Sequence, residues 1–312
     1  MHIERQRSSF PVRRVPAPDG SSFPLSEGCG QGGPALPPLA MRAALLVALS
    51  AATAAAVATP AEGSEGRLIL DARYRFEHVE QDGPLQNASA HTLRTRLGYM
   101  TATWHGLSGL LEVDDVRPLG ADHYNDTRNR QGAYATVADP QGTSVNQLLA
   151  RSRFAKGSVT AGRQRINLDN QRFVGGVGWR QNEQTYDGGV VEFKPTPAST
   201  LTYAYIDNID TVFGPDGPAT PGRTAPADIE GHSHLVNARH VFGTSLTMAA
   251  YHYRLGLDNI AVNATAPLGT LSSRTTGVRM QGVLGGTAYT LEHAWQSSLA
   301  GNPWHLDSRY RL

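Results

Sequence analysis

From residue 67 onward the chain alternates. In RLILDARYRFEHV, Leu68, Leu70, Ala72, Tyr74 and Phe76 share one parity, while Asp71, Arg73, Arg75 and Glu77 share the other, Ile69 apart. Successive side chains of a strand point to opposite faces, so the segment predicts a strand with one apolar and one charged face. HTLRTRLGYMT repeats the scheme, with Leu93, Thr95, Leu97 and Tyr99 against Arg94, Arg96 and Gly98. GLLEVDDV sets Leu111 and Val113 against Glu112 and Asp114, and TLTYAYID, LTMAAYHYRLG, SRTTGVRMQG and GTAYTLEHAWQ continue it. On the order of 12 segments of about 10 residues follow one another, separated by turn chemistry. No long helical period interrupts them. The chain is predicted to be all-β.

Two all-β designs compete. A sandwich turns its apolar faces inward; a transmembrane barrel turns them to lipid and keeps polar groups inside. Like charges sit together on the polar faces, as Arg73 with Arg75 and Arg94 with Arg96, which suits a hydrated lumen. The segments exceed the usual sandwich strand of about 5–6 residues. Short turns at Gly243-Thr244 and Gly285-Gly286 alternate with long polar stretches at 117–144 and 208–232, as in outer-membrane barrels. Tyr99, Trp104 and Trp295 fall near strand ends, where interfacial aromatics belong. The prediction is an antiparallel transmembrane β-barrel of outer-membrane type, of which this chain supplies roughly 12 strands.

Before the strands the pattern is different. Residues 1–40 are rich in Arg, Ser and Pro without periodicity, and read as a disordered extension or a mis-assigned start. At Met41 a signal peptide begins: Arg42, an apolar run from Ala43 to Val57, and Ala56-Val57-Ala58 as the cleavage pattern. That apolar run is short for a membrane helix, which needs about 20 residues. The division is therefore an extension at 1–40, a signal peptide at 41–58 cleaved near Ala58, a linker at 59–66, and the barrel domain at 67–312. Such a chain is exported to the outer membrane of a Gram-negative cell.

Composition narrows the chemistry. Basic and acidic residues number 28 and 27, for a net charge of +1, which argues against nucleic-acid binding. Lys156 and Lys194 are the only lysines, so the positive charge is nearly all arginine, a fixed forked donor for carboxylate and phosphate. Cys29 is alone, so there is no disulfide framework and no thiolate metal site. Gly175-Gly176-Val177-Gly178 lacks the Lys-Ser/Thr pair and the helix of a phosphate loop, and reads as a tight passage with glycines tolerating positive φ. His232 and His234 share a strand face but have no third metal ligand nearby, and His123 and Asp122 are equally unremarkable. Asp114-Asp115 and ADHYNDTRN lack calcium-loop spacing, and no G-x-S-x-G marks a nucleophile. No catalytic residue, metal or cofactor is expected.

Three stretches carry a resemblance: TLRTRLGYMTATWHGLSGLLEVDDVRPLGADHYNDTRN, VADPQGTSVNQ and GRQRINLDNQRFVGGVGWRQNEQTYDG. Together they resemble the alginate-export family of outer-membrane porins, over roughly Leu68 to Leu312. The resemblance implies a barrel of about eighteen strands passing a solute, in the namesake a polyuronate, through an arginine-lined pore. Such a barrel needs more strands than these segments supply, and NPWHLDSRYRL stops within an apparent strand, so the reading is of a chain truncated at its C-terminus.

The expected function is passive conduction of anionic or sugar-like solutes, with polyuronate export as its specific form. The expected partners are outer-membrane lipid, those solutes, and the barrel-assembly machinery during insertion. Candidate pore-lining residues are Arg73, Arg75, Arg94, Arg96, Arg163, Arg165, Arg172 and Arg180, with Asp169 and Glu183 as counter-charges. One detail resists the pattern. Val159 and Ala161 share parity with Arg163 and Arg165, which would turn those arginines to lipid at about 2–4 kcal/mol near the midplane. The register is therefore expected to break near Gly162, at a bulge or a strand end, with the polar run beyond it folding inward or across the pore mouth. The alternatives are an exported soluble β-sheet module that binds polysaccharide and an outer-membrane barrel hydrolase.

Overall fold

The computed structural model describes residues 65–311 apart from 122, 216–223, 300–301 and 305–306. The extension at 1–40, the signal peptide at 41–58 and linker residues 59–64 lie outside the described residues, as do Cys29 and Asp122. Twelve strands follow in chain order: β1 (Arg67–Val79), β2 (Ala88–Met100), β3 (Leu107–Pro118), β4 (Gly142–Phe154), β5 (Gly157–Gln164) and β6 (Thr185–Thr196), then β7 (Ser199–Asp210), β8 (Asp228–Phe242), β9 (Leu246–Leu255), β10 (Ser273–Leu284), β11 (Thr287–Ser298) and β12 (Asp307–Arg311). Each pairs antiparallel with its neighbours in sequence, in one sheet ordered β1 to β12, with β1 and β12 at its two edges.

The alternation holds along the sheet, and it is inverted relative to a soluble protein. Leu70 is 74 % exposed, whereas Arg96 on the opposite face is 4 % exposed. Leu68, Leu97, Leu148, Val236 and Leu291 likewise face out. A sheet with apolar side chains outside and charged ones inside is built for a hydrocarbon solvent. The connections sort by end. Those at 155–156, 197–198, 243–245 and 285–286 are tight, whereas 119–141, 165–184, 211–227 and 256–272 at the other end are long.

The loop at 165–184 shows which face is interior. Gln181 bonds the carbonyl of Arg73 on β1, and Asn170 bonds Glu292 on β11 at 3.0 Å. Ten flat strand spacings would separate those strands by about 48 Å. Eleven residues span at most about 39 Å fully extended, and this loop also turns, with Gln171 N–H bonding the Leu168 carbonyl and Arg180 N–H that of Val177. The sheet therefore curls around the loop. Ile166 and Val174 of the loop pack with Tyr186, Ile206, Leu235, Tyr251 and Tyr253 of the wall. Gly277 makes room for them: a Cβ there would meet the Tyr251 ring at 2.4 Å.

The register near Gly162 only partly follows the expectation. Pairing with β4 and β6 runs without a shift from Gly157 through Arg163, so there is no bulge at Gly162, although its φ is 114°. The strand ends one residue after Arg163, at Gln164. Arg163 thus stays on the outward parity, and only Arg165 turns in.

Candidate functional site: an inward loop and a polar passage

Neighbouring strands β1, β2 and β3 present their polar parity to the loop, and register brings opposite charges together. Arg96 makes two bonds of 2.7 Å to Asp114 directly opposite it on β3. Its Nη2 also lies 3.1 Å from Glu183 and its Nε 3.3 Å from Glu112. Arg94 holds Asp71 at 2.5 Å and reaches toward Glu183 at 3.7 Å, leaving its Nε and Nη1 without hydrogen bonds. Arg165, just past the end of β5, bridges Glu112 and Glu183. Asn146 completes that corner, donating to Glu112 at 2.8 Å and Glu183 at 3.1 Å.

The other end of the loop docks higher on β1. Arg75 pairs with Glu77 and with the fully buried Asp139 of loop 119–141. Arg180 lies 3.3 Å from Glu77 and stacks over Trp179 at 4.1 Å. Arg73 donates to Gln181 Oε1 at 3.1 Å and to the carbonyls of Gly178 and Arg180. Gln181, fully buried, donates its backbone N–H to Asp139 Oδ1 at 2.9 Å and its side-chain amide to the carbonyl and hydroxyl of Thr92. Burial by itself raises the Glu183 carboxyl, but the charges of Arg96 and Arg165, with bonds from Asn146 and Arg165, outweigh it and hold it at about 2.

Six predicted arginines (Arg73, Arg75, Arg94, Arg96, Arg165 and Arg180) therefore meet here, with six carboxylates among them (Asp71, Glu77, Glu112, Asp114, Asp139 and Glu183). The arrangement is a near-neutral clasp on the loop rather than a bare positive surface. Arg172 lies apart, 3.8 Å from Glu292, which also accepts from Arg279 at 3.0 Å and Tyr251 at 2.7 Å. Asp169 does not join Glu183: it accepts from Asn237 at 2.7 Å and Tyr253 at 3.2 Å. Arg163 does not face the lumen. It pairs bidentately with Asp187 at 2.7 and 2.8 Å, and its Nη2 lies 2.9 Å from Asp210 without hydrogen-bond alignment. Its place at a strand end and its carboxylate partner account for an arginine on the apolar parity. Positive φ falls on Val177 (50°), Asp169 (50°) and Gln171 (58°) rather than on Gly175, Gly176 or Gly178. A β-branched residue in that region costs of order 1–3 kcal/mol and persists only where its surroundings fix it.

Beside the docked loop a cavity of about 420 Å³ remains. One wall is the loop at Asn167–Asp169; the other is the inner face of β6 to β10, with Lys194, Arg239, Arg279, Glu192, Asn237 and Thr202. Thr200, Arg239, Ala249, Arg279 and Glu292 form one register row across β7 to β11. Arg279 is paired with Glu292, whereas Lys194 and Arg239 enter no ion pair among the described residues. Neither was among the sequence candidates. The signal was there for Lys194, which shares parity with Glu192 against Val191 and Phe193.

No protein-family model and no curated protein matches the sequence. The fold matches solved outer-membrane porins. OccAB3 of Acinetobacter baumannii superposes with a TM-score of 0.58 at 12 % identity, covering 79 % of this chain and 61 % of that one. OpdK of Pseudomonas aeruginosa, solved with vanillate, gives a TM-score of 0.53 at 11 % identity over 79 % and 60 %. OccK5 (OpdH) of the same species gives 0.50 at 12 % over 78 % and 59 %. This chain spans about three fifths of the length of these channels. At such identity the likeness establishes the fold alone: an all-β, antiparallel, unclosed sheet like the wall of these porin barrels. It does not single out the alginate-export family.

Proposed function

We propose that the chain forms the greater part of an outer-membrane channel for small anionic solutes, with loop 165–184 as its constriction. The observation that carries this is the cavity of about 420 Å³ beside the loop, where Lys194 and Arg239 have no carboxylate partner among the described residues. Cations in a narrow, low-dielectric opening focus positive potential and raise the local anion concentration. Arginine offers a carboxylate a forked pair of donors, and Glu192 and Asp169 at the same opening keep binding weak enough for release. The arginines of β1 and β2 hold the constriction in place instead of meeting solute.

Carboxylates are the favoured class, and the vanillate bound to OpdK is one. Polyuronates, implied by the resemblance to alginate exporters, belong to the same chemistry at larger size. In planar bilayers under a salt gradient, the protein is expected to show an anion-favouring reversal potential. Lys194→Ala with Arg239→Ala should move that potential toward cation preference, and an unchanged potential removes the assignment. Heat-modifiable migration and detergent-dependent extraction from the outer membrane are expected as well. A chain recovered in the periplasmic wash would instead favour the soluble polysaccharide-binding module.

A further inference from the structure

We infer that the outer wall of β8 to β12 carries a binding site for the phosphate groups of lipids in the outer leaflet. The inference rests on the barrel reading above. Register sets three rows on this outward face. The row nearest the long loops holds His234, Arg254 and Arg274 side by side on β8, β9 and β10. The next holds His252, Thr276, Trp295 and Arg309 on β9 to β12. In the third, Ala238, Ala250 and Val278 begin the apolar belt.

Arg254 and Arg274 are directly opposite one another, an arrangement of like charges that is unfavourable in a bare sheet. Both are exposed, as is Arg309, and none of the three enters an ion pair among the described residues. Arg274 donates its Nε to Ser297 at 3.0 Å, which orients its guanidinium along the wall. Asp307, opposite Ser297, is the acid at the end of that row. Two outward histidines of β8 are engaged within the sheet, His234 with Tyr203 at 2.9 Å and His232 with Tyr205 at 2.8 Å.

Depth is given by the same rows. Tyr203, Tyr205 and Trp295 mark an aromatic girdle, with apolar positions below and long loops above. In a barrel whose long loops face outward, that level is where outer-leaflet head groups begin. Arginines there keep their stems along the apolar wall and extend their heads to the interface, where phosphate is the matching bidentate anion. A lipid phosphate between Arg254 and Arg274 neutralises their repulsion and places its acyl chains against Ala250 and Val278. Charge complementarity thus names the occupant: a lipid with exposed phosphate, in a face whose partner is the membrane itself.

The full chain is inserted into phosphatidylcholine bilayers carrying trace spin-labelled phosphatidic acid or spin-labelled phosphatidylcholine, and the motionally restricted fraction of each is measured. One arginine near an anionic lipid contributes about fivefold, so several-fold preference for phosphatidic acid is expected. Arg254→Gln with Arg274→Gln should bring the two lipids within about twofold of each other. Arg309→Gln should lower the preference part-way, and Arg239→Gln on the inner face should leave it intact. Equal restriction of both lipids by an inserted chain overturns the site while the barrel stands. Loss of the preference by Arg239→Gln overturns it too. A chain that restricts neither lipid has not inserted, which overturns the barrel reading and this site with it.

Discussion

Glu183 is the point at which the clasp on loop 165–184 is most open to test. Its carboxylate is 10 % exposed and sits among Arg96, Arg165 and Arg94, with Asn146 donating at 3.1 Å. Glu183→Gln keeps the size and removes the charge. Two routes give the cost. A fall from 4.5 to about 2 in the carboxyl's titration, at 1.36 kcal/mol per unit, is about 3 kcal/mol. Breaking one partner out of a buried ionic network costs about 3–5 kcal/mol. At about 3 kcal/mol the population of undocked loop rises on the order of 150-fold.

The direction with pH follows from the sign of the shift. A carboxylate depressed in the folded state stabilises it fully above its unfolded value, near 4.3. That contribution is lost as pH falls from there through about 2. Docking should therefore be flat from neutrality to about pH 4.5 and weaken below it. Hydrogen exchange, corrected for intrinsic rates, reads this at two amides of the loop. Gly176 N–H donates to Asn167 Oδ1 at 2.7 Å and Gln184 N–H to the Gly176 carbonyl at 2.7 Å. Both should exchange about two orders of magnitude faster in Glu183→Gln at pH 7, and the variant should lose this residue's acid dependence. Equal protection in the two proteins at pH 7 refutes the clasp.

Three further perturbations separate the parts. Gly277→Val drives a side chain into the Tyr251 ring, so urea unfolding in detergent should register about 1–3 kcal/mol of destabilisation, and none would mean Tyr251 is not packed there. Arg163→Leu should destabilise by about 1–3 kcal/mol because it strands Asp187, while adding Asp187→Leu should recover stability. A double-mutant coupling below about 0.5 kcal/mol would refute the outward ion pair. Arg94→Ala with Arg96→Ala leaves Glu183 and Asp114 uncompensated, so the loop should detach and single-channel conductance should rise and fluctuate. A quiet channel of unchanged conductance would mean the loop is held elsewhere.

The period of two was enough to read the strands, their number and their inverted faces, because parity is a property of each segment alone. Partnership is not. Glu112 and Asp114 stood on the polar parity in the sequence, yet only the register of β2 against β3 sets Asp114 opposite Arg96. Asp139 carries no strand parity at all, and it meets Arg75 because loop 119–141 folds inside. The arginines of β1 and β2 were thus recognisable as interior but not as neutralised. In the channel proposed above, a wall of unpaired arginines would hold anions too firmly to pass them, whereas a clasped wall fixes the loop and leaves Lys194 and Arg239 at the cavity. Arg163 shows the same limit from the other side. Its parity pointed outward, and it stays outward where a register break was expected to turn it in; its partner Asp187, opposite it on β6 and 24 residues on in sequence, lies beyond any pattern in Arg163's own segment.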